Sequence, residues 1–517
     1  MAAVVSLSLT AIFWPRLWQG AGLVGGDIYA YYLPQKAFYA ECLREGTLPL
    51  WNNRIGNGYP QLAESQTGVF YPLNLVLYRW LDLNTAINAT VLFHYWLAFI
   101  SCWLLARRLG CGLPASILAA LVYTYGWFPA RISLEWAIIG GAWLPLAVWC
   151  AESYMTHTGR KWLAALSLIL TLQLLAGHFQ IAFLTQLLLV GYVAGRLWWA
   201  DQDLPEATRA ARSRISANLG GALLAAFLLA AVQLFPTWEL KTRSQRSDVN
   251  GEHDPSFGAV PPIYLSQVVA PWIWYPEKES FAALFPEAER ARVNRVDAHL
   301  YFGLVPLALA IVGFGCTWKH RHTPAARAST ESASPQISQV RGRLSQPVAP
   351  RLWIVWAGLG LAAVLYMPGW FLPVTRYLPG FNFFQGPGRF GIIATLAAAL
   401  LAASGFQQLI RSMRHLARPI FGAAVLGLTL LDLLWVSDLV HDAEPVDDPP
   451  VQQIANSTLR RALVENTEAG PVRILSEGYN IPSIVGVGTL PVYLGLSPSP
   501  YYDPQLALPK PFPFREV

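Results

Sequence analysis

The sequence predicts an all-α polytopic membrane protein of about eleven transmembrane helices, with a small outer C-terminal segment, α/β or irregular. Three observations carry this. Of 517 residues, 54% are hydrophobic and only 13% are charged, about half the charge of a soluble globular protein. Mean hydropathy is +0.36. Tryptophan is abundant, with 21 copies, as interfacial anchoring favours. The net charge of +6 does not point to nucleic acid, because the basic residues sit in short blocks between apolar runs, as in cytoplasmic loops.

Apolar runs lie near 2–22, 86–106, 113–128, 136–155, 162–177, 180–199, 216–236, 300–318, 352–371, 391–410 and 419–438. The first lacks a basic stretch before it, and its one charge, Arg16, follows the run. An uncleaved first span is expected rather than a signal peptide. Gly177-His178-Phe179-Gln180 splits 162–199 into a tight hairpin. Basic clusters mark five connections: Arg107 and Arg108; Arg160 and Lys161; Arg196 with Arg209, Arg212 and Arg214; Lys319 to Arg351; and Arg411, Arg414 and Arg418. The positive-inside rule makes them cytoplasmic, and with eleven spans they fall on alternate connections. The N-terminus is then inside and the C-terminus outside. The outer side receives loops 23–85, 129–135, 177–180, 237–299 and 372–390.

Residues 1–440 form the transmembrane unit in this reading. The cytoplasmic stretch 319–350, rich in Ser, Ala, Pro, Gln and Arg, reads as a disordered linker. The extracytoplasmic segment 441–517 opens on Asp447-Asp448-Pro449-Pro450 and has a strand expected at Val472 to Ser476. So few residues make a marginal domain alone, and the segment reads as part of a larger domain. Of five scattered cysteines, Cys42 alone is expected to be exposed, and no disulfide framework or zinc site follows.

The loop after the first run is polar and aromatic, and it begins with Asp27. From Ile28 to Glu45 the residues Ile28, Tyr31, Tyr32, Gln35, Phe38, Tyr39, Cys42 and Leu43, mostly apolar, recur on one face at helical spacing, which predicts a helix lying on the membrane surface. Asp27 would then be its N-cap. A carboxylate on a rigid turn at the bilayer edge can also take a proton from a sugar hydroxyl, and the two roles are compatible. Tyr31 joins the substrate-binding set. Glu64 and Gln66 orient an acceptor or offer oxygen ligands to a divalent cation, Mg2+ or Mn2+; a solvated loop is the alternative. The cofactor stays open, and no metal ligand is assigned. Trp51 and Asn52 can stack on and hydrogen-bond a sugar, or Trp51 is a plain interfacial anchor.

His178 and Gln180 at the hairpin, and Glu135 in the neighbouring loop, are ionisable or polar groups at a depth where they are costly; they also suit turn carbonyls. Glu239 and Arg246 follow the seventh run. Asp297, before the eighth, is a second acidic candidate facing Asp27, or a surface charge at a helix start. Gln385-Gly386-Pro387-Gly388-Arg389 opens the tenth run. A helix N-terminus with a planar cation suits a lipid phosphate, and an arginine snorkelling to headgroups is the alternative.

The stretches GGDIYAYYLPQKAFYAECLREGTLPLWN, GNGYPQLAESQTGVFYPLN, LLAGHFQIAFL, QLFPTWELKTRSQR, DAHLYFGLVPLALA and FNFFQGPGRFGII occur in this order. Together they resemble the bacterial YfhO-like membrane proteins over nearly all of 20–410. The resemblance implies a GT-C glycosyltransferase fold with an acidic residue in the first outer loop, here Asp27. It also implies a polyprenyl-phosphate-linked sugar as donor. Members commonly continue into a larger outer domain, and their acidic residue before the eighth span has Asp297 as its nearest match here.

The function expected is sugar transfer from a polyprenyl-phosphate donor to an extracytoplasmic glycan or glycolipid acceptor of the cell envelope, hexosyl or pentosyl, at the lipid bilayer. A lipid or polysaccharide transporter is a second reading, and a non-catalytic envelope-assembly scaffold a third. Transporters place polar groups near the bilayer midplane. Here they cluster toward one rim.

Overall fold

The computed structural model describes residues 1–202, 204–247, 254–275, 293–319, 350–465, 473–476, 479–490 and 493–502. Most of the expected linker 319–350, and part of the loop 237–299, lie outside them.

Every apolar run coincides with helix. The main helices are α1 (Ala2–Phe13), α2 (Leu33–Glu45), α3 (Leu83–Arg108), α4 (Leu113–Trp127), α5 (Glu135–His157), α6 (Arg160–Leu175), α7 (Phe179–Trp198), α8 (Arg212–Leu229), α9 (Ala231–Thr242), α10 (Leu304–Lys319), α11 (Pro350–Tyr366), α12 (Gly391–Ser412) and α13 (Arg418–Val440). Among the described residues four are long and apolar enough to cross a membrane: α3, α7, and α12 and α13 with their leading 3-10 turns. The pair α8–α9 passes the same test together but bends by 74°. Shorter apolar helices are α1, α10 and α11.

α12 is the central post, buried on every side from Gly391 to Phe406 except at Ala398. Its small residues let α10 approach closely. A Cβ on Gly405 would lie 2.0 Å from the Leu309 carbonyl oxygen, and one on Gly313 would lie 2.5 Å from that of Leu401. Helices in lipid pack on such small residues because van der Waals contact, not water exclusion, holds them together. At the other end of the bundle from the loop 23–85, Arg196 on α7 holds Glu152 on α5 through Nη2–Oε1 at 3.1 Å, with Tyr192 donating to Glu152 at 2.9 Å.

The run 216–236 is not one straight helix. α9 turns away to cover the short helix Gln61–Glu64: Gln233 Nε2 donates to the Leu62 carbonyl at 2.7 Å, and Leu240 is buried with Ala63 and Leu496. The stretch 28–45 is not a surface helix either. A π-helical turn, Ile28–Tyr32, leads into α2, and Gln35, Lys36 and Cys42 are buried along with the apolar residues. The element is sandwiched in protein, which also corrects the expected exposure of Cys42.

Among the described residues one small sheet ties the C-terminal segment to the chain's start, and a second lies within the segment. β1 (Gly22–Val24) pairs antiparallel with β2 (Glu444–Val446), Gly22 opposite Val446. β3 (Arg473–Leu475) pairs parallel with β4 (Gly488–Leu490). Ile55 and Tyr59 share a buried cluster with Leu494 and Tyr501, so this segment borrows its core from the loop 23–85.

Candidate active site

Asp27 stands where β1 turns into the π-helical turn. The turn needs its glycines: Gly26 has φ +48°, and a Cβ there would lie 2.6 Å from Ser133 Cβ. π-turns inside helical segments often mark functional positions. Asp27 occupies the N-cap position but makes no side-chain cap bond, which corrects the capping expectation. Its Oδ1 instead accepts the hydroxyl of Tyr493 at 2.8 Å. Asp442, Asp297 and Arg389 are within electrostatic range. Desolvation is the largest influence and raises the Asp27 pKa, as do the two neighbouring carboxylates; the Tyr493 bond and the Arg389 charge oppose it.

Asp297 is fully buried. Asn294 caps its short helix, the Oδ1 accepting from the Val296 and Asp297 N–H groups at 2.9 and 3.1 Å. Arg389 grips the carboxylate with both arms, Nε to Oδ1 at 3.1 Å and Nη2 to Oδ2 at 3.0 Å. Its guanidinium carbon sits 4.1 Å from the centre of the Trp136 ring, and Nη1 donates to Gln180 Oε1. Such a bidentate, stacked arginine is held in one orientation. Beneath it, Arg131 donates to the carbonyls of Asp297 and His299 at 3.1 and 2.9 Å. Two expectations change here. Arg389 is not a lone cation, because the Asp297 carboxylate pairs with it. Asp297 is not a free second acid, because both its oxygens are engaged.

Glu135 is buried and pairs with Lys36, Nζ to Oε2 at 3.1 Å. His178 is buried, its ring edge-on to Tyr32 at 6.5 Å, within range of the Lys36 and Arg389 charges. Its hairpin docks on the turn after Glu64: Ser65 Oγ donates to the Gly177 carbonyl at 3.0 Å. Glu64 is no solvated loop residue. It is fully buried, accepts from the Tyr31 hydroxyl and from the Gln66 N–H at 3.2 Å, and burial pushes its pKa up to about 7.

Asp27, Asp297, Arg389, Gln180, Glu135 and His178 therefore gather in one region, and Tyr31, Glu64 and Gln66 form its adjoining shelf. Four residues fall outside. Trp51 is exposed. Asn52 is buried, its amide bonded to Gln61 at 2.7 Å and its oxygen to the Arg54 N–H at 2.9 Å, so it is a loop brace rather than a sugar contact. Glu239 pairs with Arg243 on the surface at 3.2 Å. Arg246 lies on the turn after α9, its N–H on Ser244 Oγ at 3.2 Å. Sequence reasoning missed Tyr493, Asp442, Lys36 and Trp136 as site residues. Only Lys36 left a signal, a lone cation inside an apolar periodic run.

Among the described residues no three His, Cys, Asp or Glu side chains gather as metal ligands, and Asp297 is occupied by Arg389.

No family model and no curated protein matches the chain. Solved structures do. The oligosaccharyltransferase of Archaeoglobus fulgidus in its apo form matches with a TM-score of 0.51 at 11% identity, over 94% of this chain and 64% of that one. Arabinofuranosyltransferase AftD from Mycobacteria gives 0.51 at 12%, over 96% and 33%. This chain shares the fold of these proteins. The oligosaccharyltransferase AglB from Archaeoglobus fulgidus, in complex with an inhibitory peptide and a dolichol-phosphate, matches at 0.51 and 10%, over 94% and 63%. The chain spans less than two thirds of the length of each of these proteins. Four of its described helices are long and apolar enough to cross a membrane, as in a multi-pass membrane protein.

Proposed function

We propose that this protein is a membrane glycosyltransferase that moves a sugar from a polyprenyl-phosphate donor to an extracytoplasmic acceptor, with Asp27 as general base. The observation that carries it is the placing of the Asp27 carboxyl, with one oxygen uncommitted among the described residues, beside the fixed Asp297–Arg389 pair at the loop end of a GT-C fold. In this reading all eleven apolar runs cross the membrane, with the N-terminus inside and the loop 23–85 outside. Residues 1–440 are the transmembrane unit and 441–517 an extracytoplasmic segment. The YfhO-like resemblance supports a bacterial inner membrane and an envelope glycan or glycolipid acceptor. AglB was solved with a dolichol-phosphate, and a lipid phosphate of that class is the leaving group proposed here.

The acceptor hydroxyl gives its proton to Asp27 as its oxygen bonds to the anomeric carbon. The bond from that carbon to the phosphate oxygen breaks, and polyprenyl phosphate leaves with the electron pair. Arg389, already paired, supplies a fixed positive edge near the developing charge, and preorganised charge of this kind acts without reorganisation cost. His178, Glu135, Gln180, Tyr31, Glu64 and Gln66 shape the surrounding wall.

Membranes containing the protein, given a radiolabelled polyprenyl-phosphate sugar, should move label off the lipid and release polyprenyl phosphate. A transporter would carry the lipid across with its sugar still attached, and a scaffold would leave it where it was. Either result would overturn the proposal.

A further inference from the structure

We infer that Tyr493, brought in by the C-terminal segment, is the positioning residue for Asp27. The inference rests on the base assignment just proposed. The phenol hydroxyl donates to Asp27 Oδ1 at 2.8 Å, and among the described residues Asp27 has no other side-chain hydrogen-bond donor. Oδ2 is thereby left for an acceptor hydroxyl, which a general base must reach directly. Pinning one oxygen fixes the plane of the carboxylate and so the lone pair that Oδ2 presents.

Tyr493 is itself held from several sides. Asn480, fully buried, donates to the Tyr493 carbonyl at 2.7 Å and accepts its N–H at 3.3 Å. Its ring meets Tyr31 edge-on at 5.6 Å and Tyr479 at 4.9 Å. Downstream, Gly495 fits where a Cβ would lie 2.1 Å from Gln66 Nε2 and 2.9 Å from Glu64 Oε1. Gln245 Oε1 then accepts the Ser497 N–H at 2.9 Å, and the Tyr501 hydroxyl donates to the Gly58 carbonyl at 3.0 Å. Backbone clamps and ring contacts, not the phenol hydroxyl, hold the segment, so removing that oxygen leaves the anchor in place. The same hydroxyl opposes the rise in proton affinity that burial imposes on Asp27.

The test uses the full chain in membranes, with Tyr493→Phe, Asp27→Asn and a fluorinated tyrosine at position 493. Tyr493→Phe should fold as wild type and bind the polyprenyl-phosphate sugar with unchanged KM. It should lose about 10- to 100-fold in kcat at neutral pH, the range commanded by one hydrogen bond to a charged group. The acid limb of its pH–rate profile should move to higher pH, and the fluorinated phenol, a stronger donor, should move it to lower pH. A folded Tyr493→Phe with wild-type kcat and profile, or with raised activity as from a released plug, overturns the inference. Full turnover by Asp27→Asn would instead remove the base assignment, and this inference with it.

Discussion

Asp27→Asn is expected to lower sugar transfer by about 10²- to 10⁴-fold, the range that a positioned general base contributes. An amide cannot take the proton that the acceptor must lose. The fold should persist, because asparagine Oδ1 can still accept from Tyr493 at the position Asp27 Oδ1 now holds. Donor binding should persist as well, because the lipid phosphate is not held by this group. In the wild type, Asp27 works only as a carboxylate. Burial raises its pKa from the ordinary 3.8, so activity should climb with pH along a limb lying above that value. Transfer assays across pH on both proteins check this. Normal turnover by the asparagine variant would eliminate Asp27 as base.

Arg389→Gln should be strongly destabilising. It strands the Asp297 carboxylate, whose side chain is 0% exposed while that of Arg389 is 21% exposed. Removing one partner of a buried pair costs about 3–5 kcal/mol. Asp297→Asn should cost less, because the partly exposed guanidinium can turn toward water. The double variant Asp297→Asn/Arg389→Gln should recover much of the loss, since it removes both charges together. Thermal unfolding in detergent reads all three. Equal stability of Arg389→Gln and wild type would show that the pair does not hold this end of the bundle.

The helices were legible because a membrane span is a property of composition along one stretch of chain. The bend between α8 and α9 was not, because it follows from Gln233 reaching Leu62, 171 residues away. The helical period of 28–45 was real, but periodicity reports an apolar face, not whether lipid or protein covers it. Lys36 shows the difference: it is buried against Glu135 rather than set at a headgroup. Acidic and basic candidates were visible as residues, yet their pairing was not. Asp297 meets Arg389 across 92 residues, and Tyr493 meets Asp27 across 466. Nothing in the local pattern of either stretch encodes the other, and the same holds for Gly22 opposite Val446. Asn52 failed as a sugar contact because a polar residue beside a tryptophan serves equally well to brace a loop.

The configuration of the anomeric carbon in the product, set against that of the donor and read by NMR, tests the central claim most directly. One displacement by a hydroxyl that Asp27 has deprotonated requires inversion. Retention would demand a glycosyl–enzyme bond and two displacements, and would contradict the account.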